Sequence, residues 1–131
     1  MTYLTTGFHG TSKNDGDSIL TRGFSVSRGD NHWLGDGVYF FAEDQDMAFQ
    51  WCRGESFKKK YNDYVIIKSD IGIGLKYVFD LGEPDNFVQV VRDRITRDFS
   101  RIPNCIILCV KDVKSCIHTV IKGKEGALNA V

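Results

Sequence analysis

The chain has 131 residues, 42% of them apolar and 26% charged, with only two prolines, which is the make-up of one folded domain and not of a disordered tract. Lys plus Arg and Asp plus Glu each number 17, so the formal charge is zero; this argues against a general nucleic-acid coat and leaves only a local basic patch open. No stretch approaches the roughly 18 apolar residues of a membrane-spanning helix, and Met1-Thr2-Tyr3-Leu4 lacks the basic-then-apolar pattern of a signal peptide. A single domain over residues 1–131 is expected, monomeric, cytoplasmic and without a membrane partner.

In chain order, residues 3–9 read as a strand ended by Gly10. Asn14-Asp15-Gly16-Asp17 offers helix-start chemistry, with Ile19 and Leu20 on one face and Gly23 as the stop. Residues 25–37 read as a glycine-rich loop, and Val38-Tyr39-Phe40-Phe41 as a short strand. Asp44 can cap a helix in which Ala48, Trp51 and Cys52 share a face, with Trp51 taken as core. Strands follow at residues 64–67 and 77–81, separated by a turn at Gly72-Ile73-Gly74. Phe87, Val91, Ile95 and Phe99 recur every four residues and predict a helix over 85–100. Two late strands, 105–110 and 116–121, precede a frayed tail around Lys122-Gly123-Lys124-Glu125-Gly126. The sum is an α+β domain of about six strands and about three helices.

The cysteines, Cys52, Cys105, Cys109 and Cys116, form no CxxC pair, so they are read as buried thiols and no metal site is expected. Lys58-Lys59-Lys60 is read as a solvated loop.

The chemistry-bearing stretch lies between Phe8 and Cys52. Phe8-His9-Gly10-Thr11-Ser12 places an imidazole at a strand end beside a glycine and two hydroxyls, where a flat ligand can approach the backbone. Leu34-Gly35-Asp36-Gly37-Val38-Tyr39-Phe40 turns sharply into a strand and presents an aromatic face suited to stacking. Each segment alone has a plain structural explanation, as a histidine satisfied in a turn and a strand aromatic.

Taken in order, His-Gly-Thr, Ile-Leu-x-x-Gly-Phe, Leu-Gly-x-Gly-Val-Tyr-Phe and Ala-x-x-Trp-Cys resemble the NAD-binding half of the ADP-ribosyltransferases. The branch is the one that includes the poly(ADP-ribose) polymerase catalytic domains, with the motif His, Tyr and a variable third residue. The resemblance covers about residues 7–52. It implies a compact fold of split, mainly antiparallel β-sheets with about three flanking helices, and NAD as co-substrate. It implies that His9 bonds the adenosine ribose, that the Gly10 backbone holds the nicotinamide carboxamide with Thr11 beside it, and that Tyr39 stacks under the ring next to Phe40. Ser27 and Arg28 would lie over the adenosine and pyrophosphate, and Phe49 or Trp51 would supply a second ring.

The chain departs from that family at several places. Asp36 stands where the polymerases carry a basic residue, and Met47 precedes Ala48 where they carry a serine. At the third motif position, on the strand Asn104-Cys105-Ile106-Ile107-Leu108, no carboxylate is available; Ile107 and Asn104 are the residues to hand. The polymerase glutamate activates an acceptor hydroxyl as general base, so its loss points to transfer of one ADP-ribose unit to a protein or nucleic acid. Glu43, Asp44, Asp80, Glu83 and Asp85 are the carboxylates that could substitute. An RNA 2′-phosphotransferase shares His-Gly-Thr, but Arg28 and His32 do not form its pattern. The competing expectation is a degenerate module that binds NAD or ADP-ribose without turnover.

Overall fold

A computed structural model describes residues 2–26, 37–74, 88–93 and 105–128. The order of elements is β1 (Thr2–Thr11), α1 (Lys13–Arg22), β2 (Val38–Ala42), α2 (Gln45–Arg53), α3 (Glu55–Lys60), β3 (Asp63–Gly74), β4 (Val88–Asp93), β5 (Cys105–Val110), α4 (Val113–Cys116) and β6 (Ile121–Ala127). The fold is α+β, built on a six-stranded sheet in the order β4-β5-β2-β1-β3-β6, with every neighbouring pair antiparallel.

Pairing is unequal along the sheet. β1 and β3 pair from Thr2↔Gly74 to Thr11↔Val65, and β2 and β5 from Val38↔Val110 to Phe41↔Ile107. Between them, β1 and β2 share only Gly7↔Ala42 and Phe8↔Phe41. Among the described residues the two sheets expected from the resemblance are one sheet, joined at this short seam.

Side chains alternate across the pleat, so the two faces of the sheet carry separate cores. One holds Val38, Phe40, Ile71, Leu108, Val110 and Cys116, with Phe24 packed against it. The other holds Ala48, Cys52, Phe57, Tyr64 and Ile66, with Phe8 and Phe41 against it. Each fully buried Ile, Leu or Phe contributes about 1.5–3 kcal/mol, so the two clusters fix both sides of the seam.

Local chemistry explains the helices. Ser12 is the N-cap of α1, its Oγ accepting the Asp15 N–H at 3.2 Å, and Gly23 ends the helix at φ +85°. Gly16, the buried residue of α1, lies so close to Val65 that a Cβ there would overlap its Cγ1. This contact seats α1 against β3. Asp44 caps α2, its Oδ1 accepting the Met47 N–H at 3.0 Å.

Several expectations are corrected. Residues 88–93 form a strand and not part of a helix, because the apolar β5 run pairs on both edges and Val88, Val90 and Val91 are β-branched. The glycines at 72 and 74 do not make a turn; β3 runs through them opposite Leu4 and Thr2. Of the strand expected at 116–121, Ile121 alone belongs to one, as the first residue of β6; Cys116 closes the short helix α4, and Ile117 makes an isolated bridge to Ile71. The expected frayed tail is the edge strand β6, paired with β3 from Asp63↔Ala127 to Lys68↔Ile121. Lys58-Lys59-Lys60 forms the last turn of α3, not a loop. Cys52, Cys109 and Cys116 are buried and form no disulfide. The strand expected at residues 77–81 lies outside the described residues. Among those described, no helix is long and apolar enough to cross a membrane.

Candidate functional site

The seam is also where a cleft opens. Beyond Phe8↔Phe41, β1 and β2 no longer pair along their backbones, and a cavity of about 730 Å3 lies in the gap. Its size is that of an ordinary small-ligand or cofactor site. β1 supplies Phe8, His9, Gly10 and Thr11; β2 supplies Val38, Tyr39, Phe40 and Phe41; α1, α2 and β5 close the walls.

His9 joins the two lips. Its Nδ1 is 2.7 Å from the Tyr39 carbonyl oxygen, in the place where a ladder bond would otherwise continue. The carbonyl can only accept, so Nδ1 carries the proton and Nε2 of the neutral ring is left as an acceptor. The ring packs edge-on to Phe24 at 5.3 Å between centroids and tilted on Phe40 at 5.8 Å. Burial lowers its pKa below the ordinary value of 6.5, against the opposing pull of the Tyr39 carbonyl and the Asp15 carboxylate.

Gly10 meets α2 from below. A Cβ built on Gly10 would lie 2.5 Å from the Cys52 sulfur and 3.0 Å from the Ala48 carbonyl oxygen, so no side chain fits there. The missing side chain makes room for the Cys52 sulfur, and the Gly10 backbone itself lines the cleft. The Cys52 thiol is buried and pushed up to about 12 by desolvation, which makes it inert packing.

Tyr39 is half-buried, while Val38 and Phe40 on the opposite side of β2 are 2% and 1% exposed. Tyr39 and Phe40 both line the cleft, Tyr39 half-buried on one side of β2 and Phe40 buried on the other, against the His9 ring. Phe41 stands opposite Ile107 on β5, and Ile107 lines the cleft.

Trp51 is not core: it is 58% exposed and lines the cleft, while Ala48 and Cys52 turn inward. Phe49 is engaged elsewhere, packed on Tyr64 at 5.1 Å with the Lys124 ammonium 3.8 Å over its ring. Of the two expected second rings, Trp51 is the one at the cleft. Of the two hydroxyls that follow Gly10, that of Ser12 is buried and accepts the Asp15 N–H as the α1 cap. Thr11 does line the cleft. Ser27, Arg28, Asn104, Asp80, Glu83 and Asp85 lie outside the described residues. Of the other carboxylates, Glu43 is exposed, with φ +55° after β2, and Asp44 is the α2 cap.

Sequence reasoning missed the wall made by α1. Asp15, Ser18, Ile19 and Arg22 line the cleft as a stripe at the i, i+3, i+4, i+7 spacing of one helix face. A mostly polar stripe on an otherwise exposed helix was the available signal.

Similarity to known proteins says little about chemistry. The chain is 34% identical over 85 residues to an uncharacterized protein of Methanocaldococcus jannaschii, an alignment covering 62% of this chain and 39% of that protein. The chain thus spans well under half the length of that relative. No family model matches it. No solved structure matches it.

Proposed function

We propose that the protein is an NAD-dependent mono-ADP-ribosyltransferase with an ADP-ribosyltransferase-like fold, transferring one ADP-ribose unit to a macromolecular acceptor with release of nicotinamide. The observation that carries this reading is the His9 Nδ1 to Tyr39 carbonyl bond across the opened seam. It brings the two halves of the His-Gly-Thr and Gly-Val-Tyr-Phe resemblance onto facing lips of one cleft.

In this reading the His9 Nε2 accepts a ribose hydroxyl, and the bare Gly10 backbone takes the nicotinamide carboxamide. Tyr39 stacks under the nicotinamide ring, with Trp51 closing over it. Cleavage breaks the bond between the ribose anomeric carbon and the pyridinium nitrogen, and the electron pair stays with nicotinamide as a neutral leaving group. The acceptor's lone pair then forms the new bond at that carbon. The residues position and desolvate the reacting groups; they are not asked to hold a proton. An apolar Ile107 in the cleft wall fits acceptors that need no general base.

Ile107 also favours a second reading, a module that binds NAD or ADP-ribose without turnover. Nicotinamide release separates the two. On mixing the protein with NAD and a cell extract, chromatography should show nicotinamide formed by the wild type and not by His9→Ala. Tight NAD binding with no nicotinamide formed returns the binding module instead.

A further inference from the structure

The lining side chains of the cleft carry few charges. Among the described ones, and with His9 neutral, these are Asp15 and Arg22 on the α1 stripe. They are seven positions apart, so they stand about 10 Å apart along the helix axis. The cleft wall is therefore polarised, with the acid at the end where β1 enters α1, beside His9, and the cation towards Gly23.

Asp15 is placed by its backbone. Its N–H is held by Ser12 Oγ, in the turn that follows His9-Gly10-Thr11 directly. Its carboxylate makes no hydrogen bond or ion pair among the described residues, and it is exposed into the cleft. It acts electrostatically on His9. A free carboxylate beside a histidine that accepts a ribose hydroxyl is itself suited to accept one. It is equally unsuited to face a phosphate. The anionic pyrophosphate of a dinucleotide is driven to the Arg22 side, which leaves the sugar at the Asp15 side.

We propose that Asp15 makes this cleft selective for a nicotinamide dinucleotide with an unphosphorylated adenosine ribose, by accepting a hydroxyl hydrogen bond and repelling a 2′-phosphate. This rests on the NAD reading above and adds to it a specificity-determining residue. The carboxylate is open to solvent, so the discrimination is moderate and depends on salt.

The test is a calorimetric titration of the whole chain with NAD and with NADP at low ionic strength, for the wild type and Asp15→Asn. The amide keeps a hydrogen-bond acceptor and removes the charge. Wild type is expected to bind NAD roughly tenfold more tightly than NADP, the size of an effect from one partly screened charge pair. In Asp15→Asn that ratio should fall to about threefold or less, mainly through tighter NADP binding. Asp15→Ser, also tolerated in a first helical turn, gives the same reading if the asparagine variant melts early. A ratio unchanged in both variants, or a wild type indifferent to the 2′-phosphate, overturns the role of Asp15 while NAD binding stands. Failure of the wild type to bind either dinucleotide overturns the NAD reading and this inference together.

Discussion

His9 Nδ1 sits 2.7 Å from the carbonyl oxygen of Tyr39, so a side chain and not a ladder bond spans the place where β1 and β2 part. A partly buried bond of this kind is worth about 1 kcal/mol net, and more when its loss strands the carbonyl. His9→Ala should therefore lower stability by about 1–3 kcal/mol and abolish NAD binding. His9→Asn can still donate from near the Nδ1 position and should recover much of the stability. Thermal melts and NAD titrations of both variants check this. Equal melting of wild type and His9→Ala would mean that the bridge does not hold the lips together.

The same histidine sets a pH dependence. Burial lowers its folded pKa, whereas the unfolded chain titrates near 6.5. Between those values the unfolded state binds more protons, so stability is complete above about pH 6.5 and falls as the pH drops through that window. Melting temperature should decline below pH 6.5 in the wild type and decline less in His9→Asn. Parallel slopes for the two proteins would assign the effect to other groups.

Gly10 tests how tightly the seam rests on α2. In Gly10→Ala the new methyl meets the Cys52 sulfur at 2.5 Å and the Ala48 carbonyl at 3.0 Å. Overpacking of this kind costs about 1–3 kcal/mol. The double variant Gly10→Ala/Cys52→Ala removes the sulfur and should be more stable than the sum of the two single changes indicates. Denaturant midpoints of the four proteins give the coupling directly. Simple additivity would show that Gly10 does not rest on Cys52.

Tyr39 and Trp51 separate binding from stability. Trp51 is 58% exposed, so Trp51→Ala should change stability by no more than about 0.5 kcal/mol. If it closes over the nicotinamide ring, NAD affinity should fall several-fold, as for Tyr39→Ala, from the loss of about 0.5–1.5 kcal/mol of stacking. Quenching of the Trp51 fluorescence on adding NAD gives an independent readout. Full affinity in Trp51→Ala would leave it a bystander at the rim.

How far the sequence could be read follows from which signals were local. Gly23, Asp44 and the apolar run Cys105–Val110 mark their boundaries through caps and composition, and α1, α2 and β5 lie accordingly. His9 and Tyr39 were paired by resemblance and share one hydrogen bond. What failed depended on partners distant in the chain. The four-residue spacing of Phe87 and Val91 predicts a helix, but apolar residues four apart also share one face of a strand, and for residues 88–93 pairing with β5 decides. β6 has no apolar alternation, since as an edge strand it is mostly exposed and exists through its bonds to β3. Trp51 is next to Cys52 in sequence, but the helix turns one to the cleft and the other to the core. The cleft face of α1 was hidden because a polar stripe on a helix ordinarily means solvent.

Product size tests the central claim most directly. Ile107 lines the cleft opposite Phe41, and it offers no general base to activate a ribose hydroxyl for chain growth. The protein is incubated at length with excess NAD labelled in its adenylate half and with a cell extract, and the products are resolved on a denaturing gel. The account predicts label on macromolecules as discrete single additions, with nicotinamide released in equal amount and neither product formed by His9→Ala. A ladder of growing chains, or label that persists in His9→Ala, would contradict it.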